Sequence, residues 1–571
     1  SSRHTPCAVA TRRNSAWVCV LVVLVCSGCG GCQKKKSTKR RSDGASLSST
    51  QYFDNALASI NKMYEFDSDE AGHQAVFYFN SWLSTQKESD SWKIDPLVET
   101  LPSQLRTAVE LQKLSRNDVV LRDTREIREA LWMRDIADWA IDHSPPSDLV
   151  NKWVAHVAQT QSDAAAQELR DAVLLFDWTV RNIQLITPRE PVAVGKEFDA
   201  IGGPGYTQLP EDSVLLGEAD VWERALVFLG LLQQHRIPGA VLATRDGDSV
   251  KPWVCAVSIG DEVFLMDPAL GLPLVAFGEG RLVTLAEFIE KPELFRTYDV
   301  GQDLRYPMEK ADDLVALISA QPFSLTQGAA AVQRRMTGES RWVIDVRASE
   351  IAEKFTKHAA ITEARLWENP IRACIFHRTL EAELKINSTR AIERLRARHI
   401  FDEGPLARAR KMHIRGIFEK HDGGKPGSLI YYRDLRQTED AIADLRDDRQ
   451  LLELMGIERD PLEPDEIFEA NVRGAQMLLS ASREHASYFL GLVHFESGSF
   501  RTSANWLKQR TLDDFPDGHW RLGAAYNLAR AREQTGEWPR ARQLLLLSES
   551  PQRHGDLLRA RLIRTEVGEQ E

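Results

Sequence analysis

Between Trp253 and Asp267 a period of two runs through Trp253, Cys255, Val257 and Ile259, pauses at a Gly260-Asp261 turn, and continues through Val263 and Leu265 into Asp267. A period of two sends alternate side chains to opposite faces and marks a pair of strands. Almost everywhere else the apolar period is close to a helical turn. Leu101 to Leu114 and Ile127 to Ile141 carry apolar residues three and four apart, and His143-Ser144-Pro145-Pro146 ends the second stretch. The helix from about Ala164 puts Val173, Phe176, Val180 and Ile183 on one face, and a Gly- and Pro-rich loop, Ile201 to Pro210, follows. From Val221 to about His235 the residues Val221, Ala225, Phe228 and Leu232 are in register, and the chain reads as helical again from about Val300 to Ser482. One short strand pair in a long helical chain predicts a mainly α protein with a small α+β domain.

Composition narrows the class. At 571 residues the chain exceeds one hydrophobic core and predicts three or four domains. Its 43% hydrophobic and 27% charged residues are those of a globular protein. No run of about 18 apolar residues occurs, which excludes a polytopic membrane protein. A net charge of −11 argues against nucleic acid as a partner. Five of the seven cysteines (Cys7, Cys19, Cys26, Cys29, Cys32) precede residue 33, leaving Cys255 and Cys374 for the body, so no disulfide framework is expected. Cys29-Gly-Gly-Cys32 has no second Cys or His pair, and His421 to Gly427 (HDGGKPG) lacks phosphate-loop spacing, so neither metal nor cofactor is expected.

The first residues read as an address. Arg12 and Arg13 precede an apolar stretch, Ala16 to Cys26, and then Ser27-Gly28-Cys29. This end resembles the bacterial lipobox, with Cys26 where leucine is usual, and the resemblance implies lipidation of Cys29 and a cell-envelope location facing the periplasm or exterior. A plain cleaved leader is the alternative. Residues 33–50 (QKKKSTKRRSDGASLSST) are too polar to pack and read as a tether.

The last hundred residues repeat. Tyr488-x-Leu490-Gly491 and Gly498-x-Phe500 match Tyr526-x-Leu528-Ala529 and Gly536-x-Trp538, with 38 residues from Gly498 to Gly536. The pattern resembles two tetratricopeptide units, with Gly491 and Ala529 where helices cross and the helix Ile467 to Ser480 stacked on them. It implies protein or peptide partners for this tail.

Residues 170–275 follow the order helix, loop, helix, paired strands. The pieces are Leu175 to Ile183, the helix opened by Val221-Trp222-Glu223-Arg224-Ala225, the run Arg236-Ile237-Pro238-Gly239, the strand Lys251-Pro252-Trp253 and the end Met266-Asp267-Pro268. In this order they resemble the transglutaminase-like superfamily, whose papain-like chemistry uses Cys, His and Asp and whose runs read Gly-Ile-Pro-Ala-Arg, His-Ala-Trp and Asp-Pro. The family cysteine falls on Val221 and the histidine on Lys251, while Asp267 is kept. Asp220 and Glu223 form a capping box, so Val221 stands where a thiolate would be stabilised. Valine carries no nucleophile, and Asp267 is left to pair with Lys251 or to cap its turn. Among other candidates, Cys255 reads as a small buried hydrophobe sharing a face with Trp253 and Val257, and Cys374 shares a helix face with His377.

The organisation expected is a leader (1–29), a linker (30–50), a helical region (51–165), a transglutaminase-like domain (166–300), a helical region (301–482) and a tetratricopeptide-like tail (483–571). The function expected is that of a membrane-anchored, non-catalytic protein-binding scaffold. The alternative is a divergent cysteine transamidase or peptidase.

Overall fold

The structure, a computed structural model, describes residues 47–567 except 64–67, 87–90, 109–112, 145–146, 189–207, 248, 337, 339–340, 386–403, 420–423, 460–461 and 463. The leader with Cys29, nearly all of the tether and most of the Gly- and Pro-rich loop lie outside the described residues. Helix makes up 62% of the structure and surrounds one mixed sheet of six strands. The mainly α architecture with a small α+β region is as the two periods predict.

The strands are β1 (Gly239–Asp246), β2 (Ser249–Ile259), β3 (Glu262–Asp267), β4 (Leu272–Pro273), β5 (Leu314–Ile318) and β6 (Ile361–Leu366). Their order is β6-β5-β1-β2-β3-β4, with β5 and β6 parallel and the other neighbours antiparallel. Both faces are buried. Cys255, Val257, Ile259 and Met266 meet the helices Asp163–Asn182 and Val221–Gln234, whereas Val254, Ala256 and Leu265 meet Phe288, Phe295, Tyr298 and Tyr306.

Three sequence expectations need correction. The sheet does not end at residue 300, because β5 and β6 come from the stretch read as purely helical. All five residues of β5, Leu-Val-Ala-Leu-Ile, are buried, and a short continuous apolar run carries no period by which to separate a strand from a helix. The boundary at 482/483 falls inside one 32-residue helix, Asp465–Glu496, so Ile467 to Ser480 is continuous with the repeat rather than stacked on it. Trp253 does not share the face of Cys255: the β1–β2 register shifts between Leu242 and Ala243, which rotates Trp253 into the opposite core, edge-on to Phe295.

The C-terminal segment is built from Asp465–Glu496, Phe500–Asn505 extended by a π-helical stretch to Asp513, Arg521–Gln534, Trp538–Leu546 and Arg553–Val567. The repeated sequence closes two helices in the same way. Gly498 (φ +71°) and Gly536 (φ +75°) each follow a helix end in the left-handed region. Each glycine N–H donates three residues back, to Phe495 and Glu533, and the next N–H donates five back, to His494 and Arg532.

Gly491 lies at a helix crossing, where a Cβ would sit 2.6 Å from Leu507 Cδ2, and Ala529 is fully buried beside Ala541, Leu545 and Ala560. Gly491→Leu is therefore expected to cost about 1–3 kcal/mol by overpacking, read as a lower denaturation midpoint. A midpoint equal to the parent's would show that this crossing tolerates bulk.

The tail is not a separate body. Tyr488, Phe489, Leu492, Trp520 and Leu528 belong to the same core cluster as Phe176, Val180 and Phe228. Arg181 pairs with Glu496 at 2.5 Å and Asp177 with Arg530 at 2.6 Å, all four in the boundary between the Asp163–Asn182 helix and the tail.

Candidate functional site

The start of the helix Val221–Gln234 is built as its sequence requires. Asp220 Oδ1 accepts from the N–H groups of Trp222 and Glu223 at 2.8 and 2.9 Å, and Glu223 Oε2 accepts from Asp220 N–H at 3.0 Å. Val221 is the first residue inside this cap and is half-buried. Lys251 lies on β2 opposite Thr244, exposed to solvent.

Asp267 is buried and otherwise engaged. Its Oδ1 accepts from the N–H groups of Ala269 and Leu270, and its Oδ2 from the Tyr306 hydroxyl at 2.8 Å. Trp253 Nε1–H in turn donates to that hydroxyl. Burial pushes the Asp267 carboxyl up, against these donors, and pushes the Tyr306 phenol well up. Of the two uses open to Asp267, the structure shows the turn cap. Among the described residues no hydrogen bond or ion pair joins Asp267 to Lys251. The face of β3 that carries Asp267 packs on Tyr306, while the Val221 helix covers the other face.

Neither thiol of the body is activated. Cys255 is fully buried, and burial, with Asp267 nearby, pushes its thiol up. Cys374, on the helix Glu368–Lys385, shares that helix with His377, whose Nε2 lies 3.3 Å from Asp212 Oδ2. A thiol, an imidazole and a carboxylate thus occupy one neighbourhood. Burial and then the carboxyls of Glu126 and Glu129 push the Cys374 thiol well up, the reverse of the field a nucleophilic cysteine needs.

That neighbourhood holds residues that reading the sequence missed. The helix Leu121–His143 sends Glu126 and Glu129 into a cavity of about 60 Å³ also lined by Met133, Leu226 and Gln321. Glu129 accepts from the backbone N–H of Glu211 at 3.1 Å and from Gln321 Nε2, and Glu126 accepts from Phe323 N–H at 2.8 Å. Burial, then the nearby Glu211 carboxylate, raises Glu129 to about 8, and burial raises Glu126 well above its usual range. Glu211 goes the other way despite its burial, because Arg125 and Arg128 both bind it. The pairs Arg125-Glu126 and Arg128-Glu129 were the available signal, but alternating charge on a helix reads first as a solvated face. No group of His, Cys, Asp and Glu able to hold a metal ion occurs among the described residues.

Comparison of the chain with protein-family models, with curated proteins and with solved structures found no match. None of the described helices is long and apolar enough to cross a membrane.

Proposed function

We propose that this chain is a non-catalytic scaffold of the envelope, a transglutaminase-like core that has lost its nucleophile, carrying tetratricopeptide-like hairpins that bind a protein partner and held to the membrane by a lipid on Cys29. The observation that carries the reading is the state of the reactive positions. Valine opens the capped helix, the lysine is in solvent, Asp267 is committed to Tyr306 and its own turn, and both thiols of the body are held protonated. The order of helices and strands ahead of Asp267-Pro268 supports the first likeness, against the placement of Asp267 on the sheet face away from the Val221 helix, and the twice-used glycine cap supports the second.

The test is a thiol and transamidation assay on the purified chain without residues 1–46. Slow reaction of both cysteines with a thiol-directed electrophile and no amine incorporation are expected. Amine incorporation abolished by Cys374→Ala or Cys255→Ala would overturn the reading and make the protein a divergent cysteine enzyme.

A further inference from the structure

A second cavity, of about 470 Å³, opens where the end of the helix Val221–Gln234 meets the helix Gln327–Arg335 and the segment 341–347. Its volume lies within the range of small-molecule sites, about 300–1,000 Å³. Among the described residues four arginines line it, Arg236, Arg334, Arg341 and Arg347, against one carboxylate, Asp345. Arg347 Nε–H donates to Asp345 at 3.0 Å, and Arg334 faces the same group. Arg236 and Arg341 have no carboxylate partner among the described residues. Their mutual repulsion, after burial, lowers the pKa of Arg341.

The walls are held rigidly. Gln234 exchanges two hydrogen bonds with the backbone of Val343, at 2.8 and 3.1 Å. Gln333 Oε1 accepts from the N–H groups of Ile344 and Asp345, while its Nε2 donates to the Trp342 carbonyl. Two buttressing glutamines thus fix the segment that presents Arg341, Asp345 and Arg347.

Arg236 is placed there at a conformational cost. It follows the C-cap His235 with φ +57°, the left-handed position in which helices usually end on glycine, and Ile237 N–H closes the turn on the Leu232 carbonyl at 3.0 Å. A non-glycine residue held in this region stores strain of a kind that concentrates at functional sites.

We propose that this cleft binds a soluble small molecule bearing a diphosphate or a comparable pair of phosphate groups, held between the guanidiniums of Arg236 and Arg341. The planar guanidinium fork matches phosphate oxygens two at a time, and paired phosphates would neutralise the excess charge of the cleft. None of its walls comes from the repeat tail, so this inference stands or falls apart from the scaffold reading.

Inorganic pyrophosphate titrated calorimetrically into the full chain, at about 0.15 M salt so that exposed charges are screened, is the test. Saturable binding at one site is expected, weakened at least about tenfold by Arg341→Gln and by Arg236→Gly, the loss of one charge-assisted contact. Because glycine adopts φ +57° without strain, Arg236→Gly is also expected to melt at or above the parent temperature, which separates lost binding from lost folding. Absence of saturable heat, or pyrophosphate binding unchanged in both variants, would overturn the proposal.

Discussion

A chain ending at Ser482 is expected to lose the fold of its sheet and central helices, not only its tail. The cut removes Tyr488, Phe489, Leu492, Trp520 and Leu528 from a core that also contains Phe176, Val180, Phe228 and Cys255. It strips Arg181, 1% exposed, of the Glu496 carboxylate, and Asp177 of Arg530. Glu496→Ala alone removes one of the two carboxylates on buried Arg181, which keeps Asp177 at 2.8 Å, so it should lower stability by about 1.5–3 kcal/mol, the size of one hydrogen bond to a charged group. Thermal unfolding followed by far-UV circular dichroism checks both changes. The truncated chain should show no cooperative transition, and a transition near the parent's would mean that residues 51–482 fold independently.

The second large effect is one of pH. In the folded chain Glu129 has its pKa raised from 4.5 to about 8, so the folded state holds a proton that the unfolded chain has already released between those values. The stabilising contribution of that proton is complete below pH 4.5 and is lost as pH rises through about 8. Glu129→Gln mimics the protonated carboxyl at every pH. It is expected to be nearly neutral at pH 4.5 and to stabilise the protein by about 2–4 kcal/mol at pH 9. That amount follows from about 1.4 kcal/mol for each pH unit separating the folded and unfolded pKa values, reduced by coupling to the neighbouring carboxyls. Denaturation midpoints for parent and variant measured across this range should diverge as pH rises. Parallel curves would show that Glu129 titrates as an ordinary glutamate.

These expectations rest on features of very different legibility. The Asp220–Glu223 cap and the glycine ends at Gly498 and Gly536 were readable because each depends on residues within a few positions of one another. The acid pair Glu126 and Glu129 was not, since a carboxyl three residues along a helix looks the same in solvent as in a cavity. Its burial is decided by Leu226, Gln321 and Phe323, brought from distant parts of the chain. The arginine cleft was hidden for the same reason, although Arg236 stands in a run where the resemblance leads one to expect glycine.

By itself the sequence determined what is local: the helical period, the one alternating strand pair, the Asp220–Glu223 cap, the absence of Cys and His at Val221 and Lys251, and the repeat that marks Gly491 as a small residue at a helix crossing. Only the tertiary structure decided what is joined at long range. It recruited β5 and β6 to the sheet, turned Trp253 away from Cys255, bound Asp267 to Tyr306, and sealed the tail onto the core through Arg181 and Glu496. Period and capping are set by neighbours along the chain, whereas strand partners, buried charges and cavities are set by which apolar faces cover one another, and a single sequence carries no direct record of that pairing.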